Sequence, residues 1–130
     1  MSNGYGANQY RQTSITTASR GQVLLMLYEA AIRNVKKATF AIEKRDIPTK
    51  GVAIGKAHDI INELLNTLNF DAGGKIARDL ERLYNFIAEQ LVKANIENNA
   101  EPLKNALKIL ENLLEGWRGA VEQVTKGTSK

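Results

Sequence analysis

Cysteine is absent from the 130 residues, so the chain has neither a disulfide framework nor thiolate chemistry. Histidine occurs once, as His58. One histidine cannot supply the paired Glu-x-x-His motifs of a di-iron carboxylate bundle. A general base also needs a nucleophile or second titrating group beside it, and His58 has none in its pattern. It falls on the apolar stripe of a helix, where a partly buried, hydrogen-bonded structural role is expected. Gly73-Gly74 precedes a helical pattern, but no P-loop lysine and serine follow it. The expectation is a protein that is not an enzyme, with no cofactor, no metal and no catalytic residue. No apolar run approaches the roughly 18 residues of a membrane span, and the N-terminal "MSNGYGANQY" lacks a signal-peptide core. A cytoplasmic chain without membrane insertion is therefore expected.

An excess of one charge is also missing. The 18 Lys and Arg are interspersed with 14 acids, for a net charge of +4, a mixture that ordinarily makes a solvated surface. Nucleic acid is not the expected partner. The alternative reading, a basic helical adaptor binding nucleic acid, would rest on Arg33, Lys37 and Lys44, which fall near one helix face.

What the sequence does contain is helical periodicity. Residues 1–15 are rich in Gly, Asn, Gln and Ser, with isolated Tyr5, Tyr10 and Ile15, and read as a flexible arm. Ser19 with Gln22 forms a capping box, which predicts a helix start. Leu24, Leu27, Tyr28, Ala31, Val35, Ala38 and Ile42 then recur at three- and four-residue steps. This helix is expected to end near "EKRDIP", where Pro48 disfavours helical geometry at Ile47. A second helix is predicted from about Thr49, with Ile54, Ala57, His58, Ile61, Leu64, Leu65 and Leu68 on its apolar face. "NFDAGG" should break it.

A third helix carries Ile76, Leu80, Leu83, Tyr84, Ile87, Leu91 and Ala94. After "ENNAEP", with Asn99 as N-cap and Pro102 in the first turn, a fourth carries Leu103, Leu107, Leu110, Leu114, Trp117, Val121 and Val124. Four helices with short connections predict an all-α, antiparallel up-down four-helix bundle over residues 16–125, with a disordered tail at 126–130. Tyr28, Tyr84 and Trp117 read as core aromatics whose polar atoms find partners. One stretch exceeds this need. Val23 to Tyr28 places six apolar or aromatic residues in succession, more than one buried stripe uses. Either the helix is surrounded by core, or part of its surface serves another purpose.

The motifs together resemble a known family. "TASRGQVLLMLYEAAI" is similar to the opening motif of the flagellar secretion chaperones (FliS), Thr-Ala-Ser-Pro-x-x-Leu-Ile-x-Met-Leu-Tyr followed by Asp/Glu-Gly/Ala-Ala-Ile. "GGKIARDLERLYNFIAEQLVKANIENN" resembles the family's Gly-Gly-x-Ile-Ala-x-Asn-Leu-x-x-Leu-Tyr run, which ends in Ala-Asn-x-x-Asn. "LLEGW" matches its leucine-rich helix closing on tryptophan, here Trp117, and Tyr10 matches an N-terminal tyrosine. The resemblance extends from Tyr10 to Val121. The chain departs from the pattern at Arg20, where the family has proline, at Asp79, where it has asparagine, and in its positive charge.

The resemblance implies a cytoplasmic export chaperone that binds the disordered C-terminal segment of flagellin, one to one. It would prevent premature polymerisation and keep the subunit ready for the flagellar type III export gate. Amphipathic client helices would lie in grooves of the bundle, for which Leu25, Tyr28, Ile32, Ile61, Leu64, Leu68, Tyr84 and Leu91 are the candidate lining. Periodicity alone does not divide these residues between core and groove. Tyr10 and Ile15 would cap an empty groove until the client displaces them. A self-assembling structural bundle is a third possibility.

Overall fold

The computed structural model describes the backbone of residues 2–128 and the side chains of residues 20–124. Four helices follow one another: α1 (Ser2–Glu43), α2 (Ile47–Asn66), α3 (Phe70–Glu97) and α4 (Glu101–Thr128). Each packs against its neighbours in the chain, and α4 closes back on α1. Three-residue connections force each helix to return beside the one before it, which gives the expected antiparallel up-down bundle.

The helix boundaries follow local chemistry. Ser19 and Gln22 fall inside α1 rather than opening it. Arg20 keeps the backbone N–H that proline would lack, and extending a helix needs no new nucleus. At the other end, Arg45 adopts the left-handed conformation with φ 58°. Its N–H donates to Ile42 O at 3.1 Å, and the Asp46 N–H donates to Ala41 O at 2.8 Å. This is a Schellman motif with arginine where glycine is usual. Arg45→Gly should therefore stabilise the protein by about 0.5–1 kcal/mol. Relief of roughly 1–2 kcal/mol of left-handed strain outweighs the extra chain entropy of glycine. A thermal melt checks it, and an unchanged or lower Tm would show that Arg45 holds something its backbone does not reveal.

α2 begins at Ile47, two residues before the expected start, and Pro48 sits in its first turn. Proline is tolerated there because first-turn amides have no intrahelical acceptor. Asp46 is the cap, accepting from the Thr49 N–H at 3.2 Å. Hydrogen bonds from Thr49, side chain and backbone, hold the Asp46 carboxyl below its ordinary range.

"NFDAGG" opens α3 instead of separating two helices: Asn69 accepts from the Ala72 N–H, and the helix kinks at Gly74 (φ 51°, ψ −120°). Past the kink, Ala77 rather than Ile76 faces the core, and Ile76 is left 68% exposed. At Asp79, where the family pattern has asparagine, the carboxylate pairs with Lys75 at 2.9 Å and Arg82 at 3.7 Å. The lysine contact lowers its pKa. Asn99 accepts from the Glu101 N–H at 3.0 Å, tightening the turn into α4.

The core is contiguous and mostly aliphatic, with Val35, Ile61, Leu64, Ile87, Leu91, Leu103 and Leu110 among its fully buried members. Two polar features interrupt it. Trp117 Nε1 donates to Tyr28 Oη at 3.1 Å, and Tyr28 Oη is hydrogen-bonded to Tyr84 Oη. One short network thus ties α1, α3 and α4 together, with the two tyrosine rings 6.3 Å apart. The second is Lys50, only 5% exposed. Its ammonium donates to Asn95 O at 3.0 Å and to Asn98 Oδ1. These acceptors lie at the C-terminal end of α3, where terminal carbonyls and the helix dipole favour a cation. Asn98 itself takes the left-handed cap position, φ 51°. Among the described residues, no buried side-chain nitrogen or oxygen lacks a partner.

Candidate functional site

The structure corrects the expected groove lining. Tyr28, Ile32, Ile61, Leu64, Tyr84 and Leu91 are all interior to the bundle. A partner could reach them only by parting the helices. Leu25 and Leu68 are half-buried and pack against the same core. The expected caps Tyr10 and Ile15 lie outside the described side chains. The crowded stretch from Val23 resolves into two populations. Tyr28 is fully buried and Leu24, Leu25 and Leu27 are half-buried, whereas Val23 and Met26 are exposed. α1 is not surrounded by core.

The accessible apolar surface gathers elsewhere. A shallow groove on the α2–α3 side is lined by His58, Ala88, Val92 and Ile96, with Asn85, Glu89, Lys93 and Glu97 at its polar edges. Ala88, Val92 and Ile96 succeed each other at four-residue steps, which sets them along one flank of α3. Val92 is 46% exposed and Ile96 is 75% exposed. On α2, Gly51 and Gly55 precede His58 by two turns and one turn. At 100° per residue they share its flank to within about 60°. A Cβ built at either glycine meets nothing within 4 Å. The α2 backbone is thus bare on that flank, although glycine inside a helix costs roughly 0.5–1 kcal/mol relative to alanine.

His58 is half-buried, with Nδ1 3.4 Å from Asn62 Nδ2. It shapes the α2 wall of the groove. No group of three or more metal-binding side chains occurs among the described residues. No helix among them is long and apolar enough to cross a membrane. The arrangement offers an amphipathic helix an apolar floor with mixed charges on its rims, which is the geometry of helix-in-groove recognition. Sequence periodicity misses Val92 and Ile96 because they stand off the main stripe of α3. The available signal was an apolar residue beside an already buried one, Val92 after Leu91.

Comparison with known proteins agrees with this architecture. The family model for flagellar protein FliS matches residues 1–124. The flagellar secretion chaperone FliS of Campylobacter jejuni is 33% identical over 118 residues, covering 91% of this chain and 92% of that protein. The chaperone of the same name from Salmonella typhimurium is 33% identical over 118 residues, covering 87% of each. A crystal structure of a bacterial flagellar chaperone superimposes with a TM-score of 0.77 at 22% identity, over 93% of this chain and 98% of that one. It shares the fold.

Proposed function

The chain belongs to the FliS family of flagellar secretion chaperones, and from that premise we propose that it binds the disordered C-terminal segment of flagellin. Binding takes place in the cytoplasm, one chaperone to one flagellin. It keeps the subunit from polymerising and delivers it export-competent to the flagellar export gate. The observation that carries this reading is the row Ala88, Val92 and Ile96, its last two members exposed, in a groove that His58 walls on the α2 side. A client segment that folds into an amphipathic helix gains there what the chaperone has left unburied. Each anchor buried against Val92 or Ile96 contributes about 1.5–3 kcal/mol, offset in part by the cost of ordering the segment. The result is a reversible complex, as a delivery role requires.

Calorimetric titration with flagellin and with flagellin lacking its C-terminal segment tests the reading. Binding should reach one to one for the first and vanish for the second. Ile96→Asp should retain the parent circular dichroism spectrum, because the side chain is already in water, while weakening binding about tenfold to a hundredfold. Equal affinity for both forms of flagellin would overturn the proposal. Unchanged affinity in Ile96→Asp would move the client elsewhere on the bundle.

A further inference from the structure

A second exposed surface lies on the outer face of α1, and the groove does not use it. Met26, Arg33, Lys37, Phe40 and Lys44 fall within about 60° of one another at 100° per residue, so they form one stripe. Every member is exposed, with Met26 at 65% and Phe40 at 61%. Lys44 Nζ stands 5.2 Å from the centre of the Phe40 ring. The charges flanking the stripe are already engaged: Glu29 with Arg118 at 3.2 Å, and Lys36 with Glu111 at 3.8 Å. Among the described residues, Arg33 and Lys37 have no ion pair. We propose that this stripe docks an acidic helical segment of a protein partner, independently of the client groove.

Charge complementarity selects that occupant. Arg33 and Lys37, one turn apart, match carboxylates spaced one turn apart on a partner helix. Met26 and Phe40 stand about 21 Å apart along the axis and bracket the cations with apolar contacts. A partner helix with apolar residues fourteen positions apart and glutamates between them satisfies both. A single-stranded nucleic acid is a poorer fit, because it uses a groove with several stacking rings, and this stripe is one helix wide with a single ring. The two docking surfaces are also separate, since α1 and α3 lie across the bundle from each other and meet through buried side chains such as Tyr28 and Tyr84, not along their outer faces.

Fluorescence anisotropy on the full chain at low salt tests the proposal. One probe is a labelled synthetic helical peptide with leucines fourteen residues apart and glutamates facing between them; the other is the same peptide with glutamine for glutamate. The glutamate peptide should bind at least about tenfold more tightly, with the difference shrinking as salt rises. Arg33→Glu/Lys37→Glu should remove that preference, Lys37→Gln should reduce it, and Phe40→Ala should weaken the glutamate peptide several-fold. All three variants alter exposed positions, and circular dichroism checks that they fold. Flagellin affinity should stay within about twofold of the parent, as expected for sites that do not share contacts. Failure of the glutamate peptide to bind, equal binding of the two peptides, or indifference to the variants would overturn the proposal. So would competition by the flagellin segment, or tighter binding of oligothymidylate or phosphatidylserine vesicles.

Discussion

Leu64→Asp should leave the chain unfolded at room temperature. Leu64 is fully buried near the end of α2 and belongs to the contiguous core. The substitution removes the leucine's burial, worth about 2–3 kcal/mol, and places a carboxylate where no cation or donor waits, at several kcal/mol more. Together these approach the roughly 5–15 kcal/mol that holds a domain of this size folded. Far-ultraviolet circular dichroism should show the helical signal lost or the melt no longer cooperative. A cooperative melt within a few degrees of the parent would place Leu64 at a surface instead of in the core. Set beside Ile96→Asp, the pair separates residues that hold the bundle together from residues that a partner can touch.

Tyr28→Phe should cost about 2–4 kcal/mol, far more than the loss of one oxygen atom suggests. That hydroxyl accepts from Trp117 and is paired with Tyr84. Its removal strands a buried hydroxyl and a half-buried indole N–H, and an orphaned buried group costs about 1–3 kcal/mol. Adding Tyr84→Phe removes one of the orphans. The double variant should therefore be more stable than the two single losses sum to, by about 1–2 kcal/mol in urea titrations. Additive losses would mean that the tyrosines contribute by packing alone.

The pH profile reports on the same pair. Burial raises both tyrosines above their ordinary value of 10.0; for Tyr84 the hydrogen bond to Tyr28 adds to the rise, while Tyr28's own hydrogen bonds partly oppose it. From about pH 10 upward the unfolded chain sheds protons that the native chain keeps. Stability fully present below that pH then falls by about 1.4 kcal/mol per unit for each tyrosine. The double phenylalanine variant should lack this alkaline decline.

Most of the architecture was legible because period, caps and breakers agree. The stripes on α1 and α2 predicted their buried faces nearly residue by residue, and the α4 stripe did so up to Val121, whereas Val124 is 45% exposed. Tyr28, Tyr84 and Trp117 were recognisable as core aromatics with polar partners, and the motifs around them carried the family. The failures have local causes. Ile76 keeps the helical period but sits just past Gly74, whose φ of 51° redirects the helix before it. Ser19 has the chemistry of a cap, but nothing at Arg20 stops a helix already under way. The groove was the least legible part. An apolar residue announces that it prefers to leave water, not whether its own chain or another will cover it. Tyr28 and Leu91 were plausible on either account, and only the packing of three helices around them decides it. Val92 and Ile96 are left over once that packing is complete.

The interhelical hydrogen bonds also differ in what they register. The Tyr28–Tyr84–Trp117 network pins α1, α3 and α4 against sliding along one another, and α2 contributes nothing to it. Apolar packing alone constrains a slide of α2 weakly, because a shift by one turn still presents an apolar stripe to the core. What such a slip would break is the seat of Lys50 on Asn95 and Asn98, drawing the ammonium about 5 Å from the end of α3. One lysine thus acts as the index mark of α2. It also keeps His58 level with Ala88, Val92 and Ile96, so the two walls of the groove stay in phase.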